Sequence, residues 1–169
     1  MSATGIRLDP VGAYNFIVLL VQNAAAVTAQ SALAQATAGG FSECSGLEAT
    51  LQIEEYREGG WNHGTRRFPS GAAWTNLRLR RGVAFSDELW DWYSSAFARD
   101  RASRRDGVVF LQNDLHLPVK IWRFTRGLPV RWTGPTLNAD RSGVAIEELE
   151  IAHEGLELVK VTAPLTGGT

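Results

Sequence analysis

The residues in this chain most suited to chemistry are three histidines and a single cysteine, spread over 169 residues. His63 falls in a glycine-rich stretch, His116 in a turn and His153 at the end of a strand, without the short spacing that helps metal ligands converge. Cys44 has no basic flank and no base beside it in the sequence, which favours a structural thiol. We expect no metal site and no cysteine nucleophile.

The sequence also lacks the signatures of common enzyme classes. No G-x-x-x-x-G-K-S/T, G-x-G-x-x-G, G-x-S-x-G or H-E-x-x-H motif occurs. The run Glu147-Glu148-Leu149-Glu150 could suggest acid and base catalysis, but Glu148 and Glu150 alternate along one face as on any solvated strand. We therefore expect a protein that is not an enzyme and that binds no cofactor.

Composition sets the broad class and excludes several partners. The formal net charge of -1 and the pI near 6.3 give no electrostatic drive toward nucleic acid. With one cysteine, no intramolecular disulfide can form. The N-terminus lacks the basic and apolar regions of a signal peptide, and the apolar run at 16–21 is far too short to span a bilayer. We expect synthesis in the cytoplasm and no membrane anchor.

Hydrophobic periodicity divides the first half of the chain into strands and connections. Residues 13–21 are apolar at both phases, which predicts a strand buried on both faces, and residues 47–56 alternate, which predicts a strand with one wet face. The intervening segment 24–38 contains eight alanines and suits a short helix. Residues 57–72 are turn-rich and are interpreted as a long excursion before a strand at 77–80.

A helix and three strands follow. Residues 87–99 have acidic residues in the first turn and arginines near the end, which suits the helix dipole. The apolar stripe of this helix includes Leu89 and Phe97, whereas Trp90 falls at its edge and could face a neighbour or complete a rim contact within the subunit. Strands are predicted at 108–112, 120–125 and 144–152, the last with a β-bulge near Glu147 and Glu148 because its apolar phase changes.

Charge is unevenly distributed between two segments. Residues 57–81 hold six arginines against one acid, and residues 143–157 hold five glutamates and no lysine or arginine. If these segments lay at opposite ends of the fold, different copies could join head to tail. The alternative is two ordinary polar surfaces.

A series of ordered segments resembles the phage-type tail tube family, over about residues 9–157. Those segments are Asp9-Pro10 with Tyr14-Asn15-Phe16, Gly40-Phe41-Ser42-Glu43-Cys44-Ser45-Gly46-Leu47-Glu48, Glu55-Tyr56-Arg57-Glu58-Gly59-Gly60, Leu79-Arg80-Arg81-Gly82-Val83, Leu89-Trp90-Asp91-Trp92-Tyr93, Arg104-Arg105-Asp106-Gly107, Pro129 to Pro135, Ala145-Ile146-Glu147 and Ala152 to Leu156. The Ala-rich segment 24–38 departs from the pattern, because close relatives often have only a short turn there.

The resemblance implies a mainly β fold with one α-helix, an antiparallel β-barrel or sandwich similar to the ring protein of type VI secretion. It implies hexameric rings, stacked into a hollow tube inside a contractile sheath, with baseplate or cap proteins as partners and protein cargo in the lumen. It also implies that the sheets of the subunits join into one barrel, which removes free strand edges. Whether the chain is a shaft ring or a baseplate-proximal ring stays open.

The long loop is the candidate for contact between rings, because it is Gly-rich and carries aromatic residues. Its candidate residues are Glu58, Gly59, Gly60, Trp61, Asn62, His63, Phe68 and Pro69. Trp90 is a second interface candidate, at the helix edge. We expect a single domain over 1–169, with a core at 9–157 and a C-terminal extension at 158–169. The alternatives are a non-enzymatic adaptor and a small ligand-binding or catalytic β-barrel without a recognised motif.

Overall fold

The computed structural model describes residues 11–21, 40–57, 59, 64–97, 103–140 and 142–160. The Ala-rich segment 24–38 lies outside these residues. Within them the chain forms nine strands and one α-helix. The elements are β1 (Phe16–Val21), β2 (Glu43–Ser45), β3 (Ala49–Tyr56), β4 (Arg66–Trp74), β5 (Leu77–Gly82), α1 (Glu88–Ser95), β6 (Arg105–Gln112), β7 (Pro118–Thr133), β8 (Ile146–Ala152) and β9 (Gly155–Val159). The mainly β fold with one helix is confirmed.

The long strand β7 organises the fold, because it belongs to two sheets. Its first half pairs with β6 on one side and β9 on the other, and its second half pairs with β8, all antiparallel. We call β1, β6, the first half of β7 and β9 the first sheet. The second half of β7, β8, β5 and β2 form the second sheet. Arg126, with a positive φ of 54°, lies where β7 passes from one sheet to the other.

The main core lies between the inner faces of these two sheets. Val18, Val109 and Phe124 come from the first sheet, and Leu79, Leu149 and Ile151 from the second. Leu89 and Trp92 of α1 complete this cluster. A second cluster, containing Leu19, Val108, Phe110 and Ile121, lies on the other face of the first sheet. Strand β1 is therefore buried on both faces, as its sequence predicted.

The helix is shorter than its predicted range of 87–99, which changes the position of one aromatic side chain. The regular helix ends at Ser95, and Ala96 and Phe97 follow in a turn. Leu89 is 2% exposed, whereas Phe97 is 69% exposed and its ring meets Tyr93 edge-on. The prediction that Phe97 belongs to the core is wrong, because the helix ends before this residue reaches the buried stripe.

The predicted β-bulge in the last long strand is also wrong. Glu147, Leu149 and Ile151 all point inward along β8 in one uninterrupted phase. The apolar pattern changed phase because the inward position at Glu147 is occupied by an acid that forms a buried ion pair with Arg81. The irregularity in this part of the sheet lies in β7, between Pro129 and Arg131.

Three of the six arginines of the arginine-rich segment pair with glutamates of the glutamate-rich segment inside one subunit. Strands β5 and β8 are neighbours, and they place Arg78, Arg80 and Arg81 beside Glu150, Glu148 and Glu147 at 4.0, 3.6 and 2.6 Å respectively. These charges are satisfied within the fold. They therefore do not form the separate, opposite patches that would join two copies head to tail.

Candidate assembly interface

Strands β3 and β4 form a two-stranded sheet that stands apart from the body, which we call the arm. Every residue of β3 is exposed, and so is β4 from Arg66 to Ala72. A two-stranded hairpin is marginally stable on its own in water, so it needs a surface to pack on. The excursion predicted at 57–72 is too long, because strand β4 already begins at Arg66. Strand β4 lies at the edge and accommodates Pro69 at a register shift opposite Gln52 and Ile53.

The arm is a direct continuation of the second sheet. Strands β2 and β5 pair with Ser45 opposite Arg78, and the same register continues into β3 and β4, with Ala49 opposite Trp74. Between them, the amide of Thr75 donates to the carbonyl oxygen of Glu48 at 3.3 Å. The two ribbons are thus one long hairpin, of which only the first part lies on the body.

A joint at Gly46 separates the two parts of this hairpin. Gly46 has a φ of 86°, and a Cβ atom there would collide with the carbonyl oxygen of Asn76. Only glycine accommodates both the backbone conformation and the close approach. On the other strand, Asn76 Nδ2 donates to Glu150 at 2.8 Å, and the ring nitrogen Nε2 of His153 lies 3.1 Å from the carbonyl oxygen of Thr75. The root of the arm is thereby fixed to the body.

The two faces of the arm differ in chemistry. Residues directly opposite each other in an antiparallel pair share a face. One face is apolar from the root to Ile53 and carries an ion pair nearer the tip, where Arg67 and Glu55 are 3.0 Å apart. Its apolar residues are Ala49, Leu51, Ile53, Pro69, Ala72 and Trp74. Trp74 packs beside the ring of His153 at the root, but Leu51 and Ile53 are 61% and 54% exposed. The opposite face carries Thr50, Gln52 and Glu54, with Tyr56 and Phe68 near the tip.

The loop residues predicted from the sequence fall in different places. Glu58, Gly60, Trp61, Asn62 and His63 lie outside the described residues. Gly59 lies in an exposed turn beyond the end of β3. Phe68 and Pro69 belong to β4, where Phe68 is 51% exposed.

Trp90 of α1 has features of both alternatives raised by the sequence, a rim contact within the subunit and a surface open to a neighbour. Its side chain is 45% exposed, and its ring packs edge-on against Trp132, with the centroids 4.8 Å apart. It therefore makes a rim contact within the subunit and still presents surface to solvent.

Cys44, His153 and His116, which the sequence offered for chemistry, lie in packed or turn positions of the fold. Cys44 packs against the main core. Its burial and, to a smaller extent, the nearby negative charge of Glu43 raise the pKa of its thiol to about 11. His153 sits between Trp74 and Phe124, and His116 lies in the turn between β6 and β7. Among the residues that the structure describes, no group of three His, Cys, Asp or Glu side chains could hold a metal ion. In the same residues, no helix is long and apolar enough to cross a membrane.

Sequence reasoning missed the root of the arm. Thr75, Asn76 and His153 are unremarkable in the sequence, because their roles depend on contacts between distant strands. A signal for the joint does exist: Gly46 interrupts the apolar and polar alternation between Cys44 and Leu47.

The fold is thus a β-sandwich that carries an exposed hairpin with one largely apolar face. The sequence model for the T4-like virus tail tube protein gp19 matches residues 13–157, which is most of the chain. The chain belongs to this tail tube family, and the resemblance in its sequence segments is confirmed.

Solved structures agree with this assignment. A chain of an extracellular contractile injection system, the PVC sheath-tube complex in the extended state, has a TM-score of 0.74 and 24% identity, with 95% of this chain and 99% of that chain covered. A chain of the anti-feeding prophage baseplate has a TM-score of 0.71 and 26% identity, covering 91% and 98%. Hcp1 from Flavobacterium johnsoniae shares the fold more distantly, with a TM-score of 0.50, 13% identity and coverage of 85% and 93%. No curated protein matched the sequence significantly.

Proposed function

We propose that this protein is the structural subunit of the inner tube of a contractile injection system or contractile phage tail, forming hexameric rings that stack into a hollow conduit. Family membership supports the tube role. Similar chains occur in a sheath-tube complex, in a six-fold symmetrised baseplate and in a tube-terminating cap. Sheath, baseplate or cap proteins of the same particle are the corresponding partners, and protein cargo would pass through the lumen.

The observation that carries this proposal is the bare apolar face of the arm. Leu51 and Ile53 lie beyond the root of the arm, where Trp74 meets His153, and their side chains are exposed to solvent. Burying a leucine or isoleucine side chain stabilises by about 1.5–3 kcal/mol, so this face favours contact with another copy. We assign the arm, together with the loop at its tip and Phe68 and Pro69, to the contact between stacked rings. Trp90 is a second interface candidate on the helix side.

The role is assembly rather than catalysis. Cys44 is held as a neutral thiol, and the histidines in the described residues pack in turns and between aromatic rings. A non-enzymatic subunit that resides in a phage tail-like particle accounts for these features. The single domain, with the 24–38 segment as an insertion and 158–169 as an extension, belongs to the same proposal.

Electron microscopy of the purified protein, with size measurement in solution, tests the function. We expect rings and tubes from the unmodified chain. The variant carrying Leu51→Glu and Ile53→Glu should form rings but not tubes, because charge on the apolar face prevents stacking. The matched control carries Thr50→Glu and Gln52→Glu on the opposite face of the same strand and should still form tubes. A monomer under all conditions would instead favour an adaptor, and tubes from the apolar-face variant would remove the arm from the stacking contact.

A further inference from the structure

His153 connects the arm to the body through two backbone carbonyl groups. Its ring nitrogen Nε2 lies 3.1 Å from the carbonyl oxygen of Thr75, at the root of the arm. Its Nδ1 lies 3.1 Å from the carbonyl oxygen of Gly155, at the start of β9. A carbonyl oxygen can accept a hydrogen bond but cannot donate one. The imidazole ring therefore faces two acceptors at once.

Only the protonated ring can satisfy both contacts. Neutral imidazole has one N–H donor and one nitrogen lone pair, whereas imidazolium has two N–H donors. In the neutral form, one nitrogen directs its lone pair at a carbonyl oxygen, which is repulsive. Histidine side chains ordinarily gain or lose this proton between about pH 5 and 8. The number of hydrogen bonds that His153 donates therefore depends on pH within that range.

The surroundings of the ring determine which contact is lost with the proton. Trp74 and Phe124 pack beside the imidazole, with ring centroids 6.2 and 6.0 Å away, and this packing keeps both nitrogens directed at the two carbonyl groups. The contact with Gly155 is partly buried, whereas the contact with Thr75 is exposed. Water can replace the ring as the donor to an exposed carbonyl oxygen. Loss of the proton is therefore relieved most easily by movement of the root of the arm.

The charged side chains of the surrounding strands and turns are engaged with other polar groups. Acidic and basic groups lie close together there, so the two carbonyl oxygens are the groups that respond directly to the proton on His153. The pairs are Glu150 with Asn76 and Arg78, at 2.8 and 4.0 Å, Glu48 with the hydroxyl of Thr75 at 3.2 Å, and Glu154 with Arg126 and Arg104, at 2.6 and 2.9 Å.

We propose that His153 is a pH-sensitive attachment, which fixes the root of the arm to the body when its ring is protonated and loosens it when the ring is neutral. The ring binds its proton more firmly while the Thr75 carbonyl is in place, because a second acceptor then stabilises imidazolium. By linkage, protonation favours the attached arm by the same factor. The attachment is strongest at the acidic end of the titration and weakens as the pH rises through it.

The geometry of the joint allows the arm to shift without unfolding. A cleft of about 390 Å³ lies at the joint and is lined by residues of both the root and the second sheet, among them Gly46, Thr75 and Arg78. The hydrogen bond from Asn76 to Glu150 still holds the root when the bond from His153 is lost. An effect of pH on contacts between copies rests on the proposed function, whereas the attachment itself is a property of one subunit.

Hydrogen exchange of backbone amides tests the attachment in the soluble full-length protein. Protection at the root, over residues 47–50 and 73–76, would be measured at about pH 5.5 and about pH 8, corrected for the intrinsic exchange rate at each pH and compared with that of β6. We expect root protection to be about fivefold higher at the acidic pH, because a charged donor makes a stronger hydrogen bond than a neutral one. In His153→Gln, whose side chain cannot gain a proton, we expect no such change.

His116→Asn is the matched control. His116 is an exposed histidine in the turn between β6 and β7, with a φ of 58° that asparagine tolerates. This variant should keep the full change at the root.

Equal root protection at the two pH values in the unmodified chain, or a change that persists in His153→Gln, would overturn the proposal. If His153→Gln does not fold, the unmodified chain and His116→Asn still decide, because a change at the root without a matching change in β6 supports the attachment and its absence contradicts it. Failure here would leave the tube function intact, since the measurement concerns the arm of one subunit.

Discussion

Arg81 donates from Nε to the carboxylate of Glu147 at 2.6 Å, and both side chains lie almost entirely inside the subunit. The second oxygen of Glu147 accepts a hydrogen bond from Trp132 Nε1 at 3.1 Å. Arg81 also donates from Nη2 to the carbonyl oxygen of Ser86, just before the helix. The pair thus connects β5, β8, β7 and the entry to α1.

Breaking this buried pair from one side should be costly. We expect Arg81→Met to lower the free energy of unfolding by about 3–5 kcal/mol, because it leaves the Glu147 carboxylate buried without its charged partner. The double variant with Glu147→Leu should recover much of that loss. Arg80→Met, at the neighbouring position, is the control and should cost less than about 1 kcal/mol, because its ion pairs with Glu43 and Glu148 lie on the half-exposed outer face of the sheet. Denaturant unfolding of the soluble form measures all three, and equal losses at positions 80 and 81 would contradict the argument.

The two ends of the helix stripe should differ sharply in their effect on stability. Leu89→Ala removes a side chain that is 2% exposed within the main core, and we expect a loss of about 2–5 kcal/mol. Phe97→Ala removes a side chain that is 69% exposed, and we expect a loss below about 1 kcal/mol. Thermal and denaturant unfolding compare the two. A large loss at Phe97 would mean that the helix continues and buries this residue.

Arg126 should tolerate glycine better than alanine, because its backbone has a positive φ of 54°. Both substitutions remove the exposed ion pair of Arg126 with Glu154, so their difference reports mainly on the backbone. We expect Arg126→Gly to be about 1 kcal/mol more stable than Arg126→Ala in unfolding experiments. The same two substitutions at Arg123, which pairs regularly with Val108 and Glu157, provide the control, since glycine in an ordinary strand should be the less stable of the two. No difference between the variants at Arg126 would contradict the left-handed conformation.

Cys44 should make stability depend on pH in the alkaline range. Burial and, to a smaller extent, the negative charge of Glu43 raise the pKa of this thiol from 9.0 to about 11. Between these two pH values the folded protein therefore retains a proton that the unfolded chain loses. The contribution is fully present below pH 9 and declines as the pH rises toward 11. Unfolding of the wild type and of Cys44→Ala should therefore differ in slope between pH 9 and 11, with the wild type losing more stability. Parallel curves would show that the thiol is not desolvated.

Local patterns in the sequence were sufficient to predict an element when the apolar residues that it buries all lie within that element. Strand β1 follows from its continuous apolar run and strand β5 from alternation, and the first two turns of the helix follow from the spacing of Leu89 and Trp92. Predictions from local patterns failed where a residue far away in the sequence determines whether a position is buried. Glu147 is polar in the sequence but points inward, since Arg81 of another strand neutralises it.

The arm illustrates a second kind of failure. Strand β4 contains Pro69, Ser70 and Gly71 in its middle, a composition typical of turns, and nothing local reveals that β3 holds it in register. The tail tube resemblance indicated that this region reaches a neighbour. It could not indicate which face is apolar, because that depends on the pairing of Leu51 with Ala72 and of Ile53 with Pro69.

The unbroken register from β2 and β5 into the arm also has a consequence for engineering. Side chains alternate between faces with a period of two, so a single inserted residue in each strand would exchange the apolar and polar faces. Adding two residues to each strand would preserve the faces and lengthen the hairpin by roughly 7 Å. The length of the arm can therefore change only in steps of two residues per strand if its faces are to be kept. The spacing between successive layers of an assembly built from such arms would be restricted to the same increments.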